Sequence, residues 1–243
     1  NLRNIKTFLR YCVDRNLLEK VPRILMMREP KQNPKYITEK QFRSLMELDS
    51  LSPLMKDSFN VLLSSGMRRS EMIEGELIGN MLIVEARKSK SRIERQIALT
   101  DNQVGVIASV HRLRDKHIAK GSRLVTFKDK FTKAFKDSCK EIGLTDTRVN
   151  LHCLRHTFAV VQWIVSSDIY EVKNLLGHTS VKTTEKYARF RLEQLGFDFP
   201  TAYQIRLKVQ KVRENGLRDT LFRDTSKEIQ DLSSRKLLTM SDC

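Results

Sequence analysis

Three short stretches of this sequence carry polar side chains that local structure does not ask for. Gly66-Met67-Arg68-Arg69-Ser70-Glu71-Met72 puts two arginines at the start of an expected helix, where the helix dipole disfavours cations. His152-Cys153-Leu154-Arg155-His156 sets His152 and Arg155 three apart, on one helical face. Leu175 to Phe190, LLGHTSVKTTEKYARF, holds His178 directly after a helix-ending glycine and Tyr187 nine positions further on.

Together these are the side chains that breaking a phosphodiester requires. Two guanidiniums can hold the non-bridging oxygens through paired, charge-assisted hydrogen bonds and stabilise a five-coordinate phosphorus. Arginine suits this better than lysine because its fork matches phosphate oxygens. An imidazole can bond or take a proton, and a lysine on a turn can protonate a leaving sugar oxygen. A tyrosine hydroxyl, with an ordinary pKa of about 10, becomes a competent nucleophile once cations surround it. Taken singly, each residue has a plain structural reading: a surface arginine, a polar pair on a helix, a packed aromatic with a wet hydroxyl. Thr183 to Lys186 read as a wet helix face, His111 and His117 as solvated helix residues, and Phe158, Val161 and Trp163 as core.

The charge narrows the class of partner. The chain has 243 residues, 40% hydrophobic and 30% charged, with a formal net charge of +16. That excess predicts a polyanion partner, nucleic acid before membrane, because no long basic amphipathic helix carries it. The basic residues lie in folded-looking segments, including Arg68, Arg69, Arg87, Lys88, Lys90, Arg92, Arg95, Arg112, Arg114 and Lys116. No run of 18 apolar residues occurs, and the opening residues do not read as a signal peptide. Cys12, Cys139, Cys153 and Cys243 make no metal-ligand spacing and read as reduced thiols.

Elements to position these side chains follow from periodicity. Ile5, Phe8, Leu9 and Cys12 predict a helix over Asn1–Arg15 that opens part-way through a domain. EPKQNP predicts a linker. Thr38 before Glu39-Lys40-Gln41 predicts a capping box, with Phe42, Leu45, Met46 and Leu48 as the buried face. Pro53–Ser64 reads as a helix ended by Ser65-Gly66. Leu77-Ile78, Gly79-Asn80 and Met81–Val84 read as a tight hairpin, with Arg92–Leu99 as a third strand after a basic turn. Helices are expected at Asp101–Lys120, Lys128–Ile142, His152–Val165, Ile169–Leu175 and Val181–Arg191. In the tail, Ile205, Val209 and Val212 form a narrow apolar stripe, and Thr225 with Glu228 offers a second capping box before Ile229 and Leu232.

GMRRSEM, HCLRHTFA and LLGHTSVKTTEKY resemble, in order, the three signature boxes of the tyrosine recombinases, the phage-integrase-like family. The likeness covers about Thr38 to Arg191. It implies a mainly α catalytic fold with a small antiparallel β-sheet. It also implies roles residue by residue: Tyr187 as nucleophile, Arg68 and Arg155 as the catalytic arginines, His152 and His178 as the box histidines, and Glu71 as the acid that buttresses the site. Lys90 resembles the β-turn lysine that serves as general acid. It is preferred to Lys88 because it lies eight residues before Ala98, where the family has proline. Arg69, Lys88 and Arg92 are expected DNA contacts, and His156 is expected to be structural.

The implied organisation has residues 1–28 as the end of a helical DNA-clamping domain and 29–37 as a linker. Residues 38–199 form the catalytic domain, and 200–243 form a helical tail that docks on a neighbouring protomer or folds back on its own domain. The implied activity is site-specific strand exchange through a 3′-phosphotyrosine and a Holliday junction. It would take place on double-stranded DNA, in a homotetramer, with accessory DNA-bending proteins as further partners. No metal or high-energy cofactor is expected, and the place of action is the cytoplasm at the nucleoid. A mobile-element integrase fits a sequence that opens inside a domain. A type IB topoisomerase-like enzyme, a telomere-resolving enzyme and a non-catalytic DNA-binding protein are the competing readings.

Overall fold

The computed structural model describes residues 2–24, 32–85 and 94–214. The chain divides into two compact units, Asn1–Gln32 and Asn33–Cys243. The first holds helix α1, Leu2–Asp14, which leaves Leu2, Ile5, Phe8 and Tyr11 exposed.

The second unit is mainly helical with one small sheet. Thr38 caps α2 (Glu39–Glu47): its hydroxyl accepts from the Gln41 N–H while the Gln41 side chain returns a bond to the Thr38 N–H. Helix α3 (Pro53–Ser65) starts on a proline, whose missing N–H costs nothing there, and ends at Gly66 with φ 62°. Glycine is required at Gly66 twice over, since a β-carbon would also fall 2.2 Å from the Phe158 ring. Helix α4 (Arg69–Glu74) follows at once. Strands β1 (Glu76–Ile78), β2 (Met81–Val84) and β3 (Arg95–Ala98) form an antiparallel sheet in chain order. The two-residue turn Gly79-Asn80 pairs Ile78 with Met81, as the sequence predicts.

Helices α5 (Asp101–Ala119) and α6 (Leu124–Glu141) come next. Helix α7 (Cys153–Ser166) is buried on nearly every side and joins the two halves of the core. Its first residues, Cys153 and Leu154, join the core cluster shared by α3, β2, α5 and α6, and α3 packs along it. Its outer turns pack against α8 (Ile169–Leu176), the Tyr187 ring, α9 (Leu192–Asp198) and α10 (Pro200–Glu214). No described helix is long and apolar enough to cross a membrane.

The structure departs from the sequence reading in three places. The expected helix over Val181–Arg191 is a 3-10 turn, Val181–Thr183, followed by consecutive tight turns. Val181, Thr183 and Thr184 are β-branched and poor helix formers, and Thr184 turns its side chain inward, fully buried. Helix α6 begins at Leu124 rather than Lys128, which brings Phe127 into the core with Phe131 and Phe135. The end of the expected linker is packed: Ile37 is fully buried, its N–H donates to the Thr157 hydroxyl, and the Tyr36 hydroxyl donates to Asp198 at 2.6 Å.

For the tail, where docking on a neighbour and folding back were both open, Ile205 and Val209 of the α10 stripe are covered within the chain. Val209 is buried, Ile205 packs on the outer core, and Arg206 donates to the Ile164 carbonyl at 3.0 Å. The Val212 side chain and residues 215–243, with Thr225, Glu228, Ile229 and Leu232, lie outside the described residues.

Candidate active site

The site is assembled around one buried carboxylate. The left-handed turn at Gly66 ends α3, buries Met67 and leaves Arg68 as the cap residue of α4. Glu71, one turn on, accepts from the Arg68 N–H at 2.7 Å and from the Arg68 guanidinium at 2.5 Å. It also accepts from Arg95 of β3 at 2.8 Å, and Arg155 of α7 lies 3.9 Å away. Burial alone would push the Glu71 carboxyl up. Arg95, then the Arg68 N–H, then Arg155 and the Arg68 guanidinium outweigh it and hold the group below its ordinary value.

Three guanidiniums against one carboxylate leave an excess of two positive charges in a largely buried cluster. Such an excess is costly unless an anion completes it. The α8 helix offsets part of the cost. Its last carbonyls, Leu175 and Leu176, accept from Arg95 at 2.6 Å and from Arg155 at 2.5 Å, at the negative end of the helix. Arg155 also donates to the Gly66 carbonyl at 2.7 Å. Two of its five N–H donors are thus spent on backbone, which fixes the plane of the fork and leaves others for a ligand. Burial and Arg68 pull Arg155 down to about 9, so it stays charged at neutral pH.

Beside the cluster lies an open cleft of about 310 Å³ lined by Arg68, Arg69, Ser70, Asn150, His152 and Arg155. His152 stands at its rim, its ring 4.8 Å from that of His156 and nearly perpendicular. Arg69, an expected DNA contact, spends one donor inside the protein, on the Lys128 carbonyl at 2.9 Å and on the Thr132 hydroxyl.

Tyr187 is not on the cleft wall. Its ring is only 1% exposed, and its hydroxyl bonds to Nδ1 of His156 at 2.7 Å. Burial raises the Tyr187 hydroxyl above its ordinary pKa, with Arg155 pulling weakly the other way. The expectation that surrounding cations acidify this hydroxyl therefore fails for the buried position: desolvation of a phenolate outweighs the one nearby guanidinium. Burial and Lys186 push His156 down to about 3. A protonated phenol beside a neutral imidazole sets the direction of the bond: Tyr187 donates, Nδ1 accepts, and the ring proton sits on Nε2.

His178 follows Gly177, which ends α8 at φ 64°. Its Nδ1 lies 2.8 Å from the Thr184 hydroxyl, which ties the histidine to the turn that carries the tyrosine. Burial and Arg155 push His178 down to about 3. Lys186, read as wet, lies over the Tyr187 ring at 5.0 Å.

Arg68, Glu71, His152, Arg155, His178 and Tyr187 thus come from three separate stretches of the chain to one place. Lys88, Lys90 and Arg92 lie outside the described residues. His111, read as solvated, instead bonds the Met72 carbonyl at 2.9 Å. The sequence reading left three neighbours of the site without a role. Arg95 shares a strand face with buried Ile97, so period-two spacing could have marked it as inward. His156 lies one helical turn after His152. Thr184 carried no signal, because it read as part of a regular helix.

Residues 35–193 match the family model described as the phage integrase family. A tyrosine recombinase XerC of Roseiflexus castenholzii is 27% identical over 214 residues, covering 78% of this chain and 66% of that protein. A tyrosine recombinase XerC of Myxococcus xanthus is 26% identical over 232 residues, covering 83% and 74%. Among solved structures, the XerA recombinase superposes with a TM-score of 0.52 at 23% identity, over 69% of this chain and 66% of that one. A lambda integrase dimer bound to a COC′ core site gives 0.51 at 16%, over 75% and 56%. The chain spans about two thirds of the length of several relatives it matches, and at these identities the structures speak for the fold alone. With a family match over more than half of its residues, the chain belongs to the phage integrase family, the tyrosine recombinases.

Proposed function

We propose that this protein cleaves and rejoins DNA at specific sites, with Tyr187 as nucleophile. The observation that carries the reading is the over-charged arginine cluster, Arg68, Arg95 and Arg155 around Glu71, beside an open cleft. A scissile phosphate is the anion it lacks. Arg68 and Arg155 hold the two non-bridging oxygens, and both bonds strengthen as charge builds on the phosphorane. His178 donates to the same oxygens.

The Tyr187 oxygen attacks phosphorus as the P–O5′ bond breaks. Its proton passes to a neutral imidazole, His152 in this reading, and Lys90 protonates the departing 5′ oxygen. The products are a 3′-phosphotyrosine and a free 5′-hydroxyl. The ester keeps the bond energy, so a 5′-hydroxyl from a second duplex reverses the step without ATP or metal. Exchange between two duplexes passes through a Holliday junction and calls for four protomers. XerA and lambda integrase share the fold, and other solved relatives include a lambda integrase tetramer on a Holliday junction.

The buried hydroxyl is a resting position. For in-line attack, Tyr187 leaves His156 and turns toward the cleft. The segment that carries it is a series of tight turns, Tyr187 N–H to Thr184 and Phe190 N–H to Tyr187, which can re-form without melting a helix.

The test uses a pool of nicked duplexes of randomised sequence, in which the short 5′ fragment diffuses away after cleavage and strands the covalent adduct. Adducts are recovered, digested and mapped by mass spectrometry. The reading expects DNA on the peptide that holds Tyr187 and none with Tyr187→Phe. An adduct on another residue, or one that persists in Tyr187→Phe, overturns it. Relaxation of supercoiled plasmid of arbitrary sequence would instead favour a topoisomerase.

A further inference from the structure

Arg95 ties Glu71 to the end of α8 by direct hydrogen bonds, whereas Arg155 reaches the neighbouring Leu176 carbonyl but stays 3.9 Å from Glu71. One edge of the Arg95 guanidinium donates to Glu71 at 2.8 Å, and the other donates to the Leu175 carbonyl at 2.6 Å. Its side chain is 13% exposed. The stem of the same side chain occupies the space beside Gly177, where a β-carbon would fall 2.8 Å from Nε and 2.9 Å from Cδ. Glycine there serves the positive φ and the arginine together. Gly177 is the residue before His178. Arg95 also opens β3, five residues after Lys90.

A simple ion pair does not account for this arrangement. Glu71 already has Arg68 at bonding distance, and a further cation beside Arg68 and Arg155 adds like-charge repulsion. What Arg95 adds is a rigid planar link between α4 and the end of α8, which a lysine, a single point donor, cannot span.

We propose that Arg95 is a positioning residue. It holds the Gly177-His178 turn in register with the Arg68–Glu71 pair, so that His178 meets the phosphate that Arg68 and Arg155 hold. This rests on the function proposed above. Arg95 itself touches no reacting atom. Loss of its two bonds shifts groups by about an ångström, and displacement on that scale costs on the order of 100-fold in rate.

The experiment compares full-length wild type with Arg95→Gln and Arg95→Lys, each checked for a cooperative melt. In free protein, amide hydrogen exchange of residues 172–180 rises about tenfold in Arg95→Gln, with α5 unchanged. On a duplex recovered by covalent trapping, Arg95→Gln loses far more in adduct rate, about 100-fold, than in binding, a few-fold from the lost charge, while Arg95→Lys, which keeps the charge, binds like wild type at an intermediate rate. Unchanged exchange at 172–180 overturns the link. So does adduct formation within twofold of wild type, or loss of binding and rate in equal proportion. If wild type traps no duplex, the recombinase reading fails, while the exchange result still decides whether Arg95 holds the turn.

Discussion

The arginine cluster and the tyrosine turn are built by opposite means. Glu71, Arg68, Arg95 and Arg155 are tied to one another and to backbone carbonyls on α3 and α8 by bonds of 2.5–2.8 Å. Every one of them is fixed before a ligand arrives. Among the described residues the Tyr187 side chain has one polar bond, to His156, and it sits on turns between a 3-10 segment and α9. On the proposed function, the receptor for the phosphate is thus preorganised, whereas the nucleophile is stored. Preorganised charge stabilises a transition state without reorganising during the reaction. On the same proposal, storing the tyrosine keeps its hydroxyl from solvent until DNA is present.

The comparison can be broken most sharply at Tyr187. Tyr187→Phe removes the attacking oxygen, so adduct formation on a trapped duplex should fall by about 10⁴-fold or more. Binding should stay within a fewfold, measured by fluorescence anisotropy. Equal loss of binding would make the residue structural.

The largest effect on stability belongs to the other region. Glu71→Ala leaves three partly or fully buried guanidiniums without their shared acid. Breaking a buried pair on one side costs about 3–5 kcal/mol, to be read as a lower urea midpoint. A midpoint like that of wild type would mean that solvent already screens the cluster.

The bond that holds the tyrosine sharpens the contrast. His156→Leu leaves the Tyr187 hydroxyl buried with no acceptor, a penalty of about 1–3 kcal/mol against the stored state. The protein should lose stability by that amount, while adduct formation should be no slower than wild type. A 100-fold slower rate would instead make His156 the base that receives the tyrosine proton.

Acid should show the same asymmetry more weakly. His156 and His178 have an ordinary pKa of 6.5 and about 3 in the fold, both through burial first. As pH drops below 6.5 the unfolded chain takes protons that the folded chain refuses. Their contribution is complete above about 6.5 and is lost as pH falls toward 3. The urea midpoint should decline over that window, and less steeply in His156→Leu. A flat midpoint would show that both rings protonate in place.

What the sequence made legible divides along the same line. The boxes that carry Arg68, Glu71 and Arg155 lie on helices whose caps and apolar spacing follow local rules, as at Thr38, Pro53 and Gly66. The hairpin at Gly79-Asn80 is equally local. The tyrosine turn depends on contacts that no local pattern announces. Thr184 faces inward only because His178 waits there, and Tyr187 is core only because α7, α9 and α10 surround it. The helix expected over Val181–Arg191 fails because its β-branched residues hold a helix weakly and tertiary packing draws Thr184 and Tyr187 inward. Arg95 was visible as a charge and not as a site, since its two partners lie 24 and 80 residues away.

The most direct test of a stored nucleophile beside a finished receptor is a single 3-fluorotyrosine at position 187, observed by fluorine NMR in H₂O and in D₂O. The free protein should show one resonance with no solvent isotope shift. Adding a duplex recovered by covalent trapping should give a second, solvent-sensitive resonance that grows with occupancy. A solvent-sensitive resonance in the free protein, or one still buried on a duplex that forms the adduct, would contradict this account.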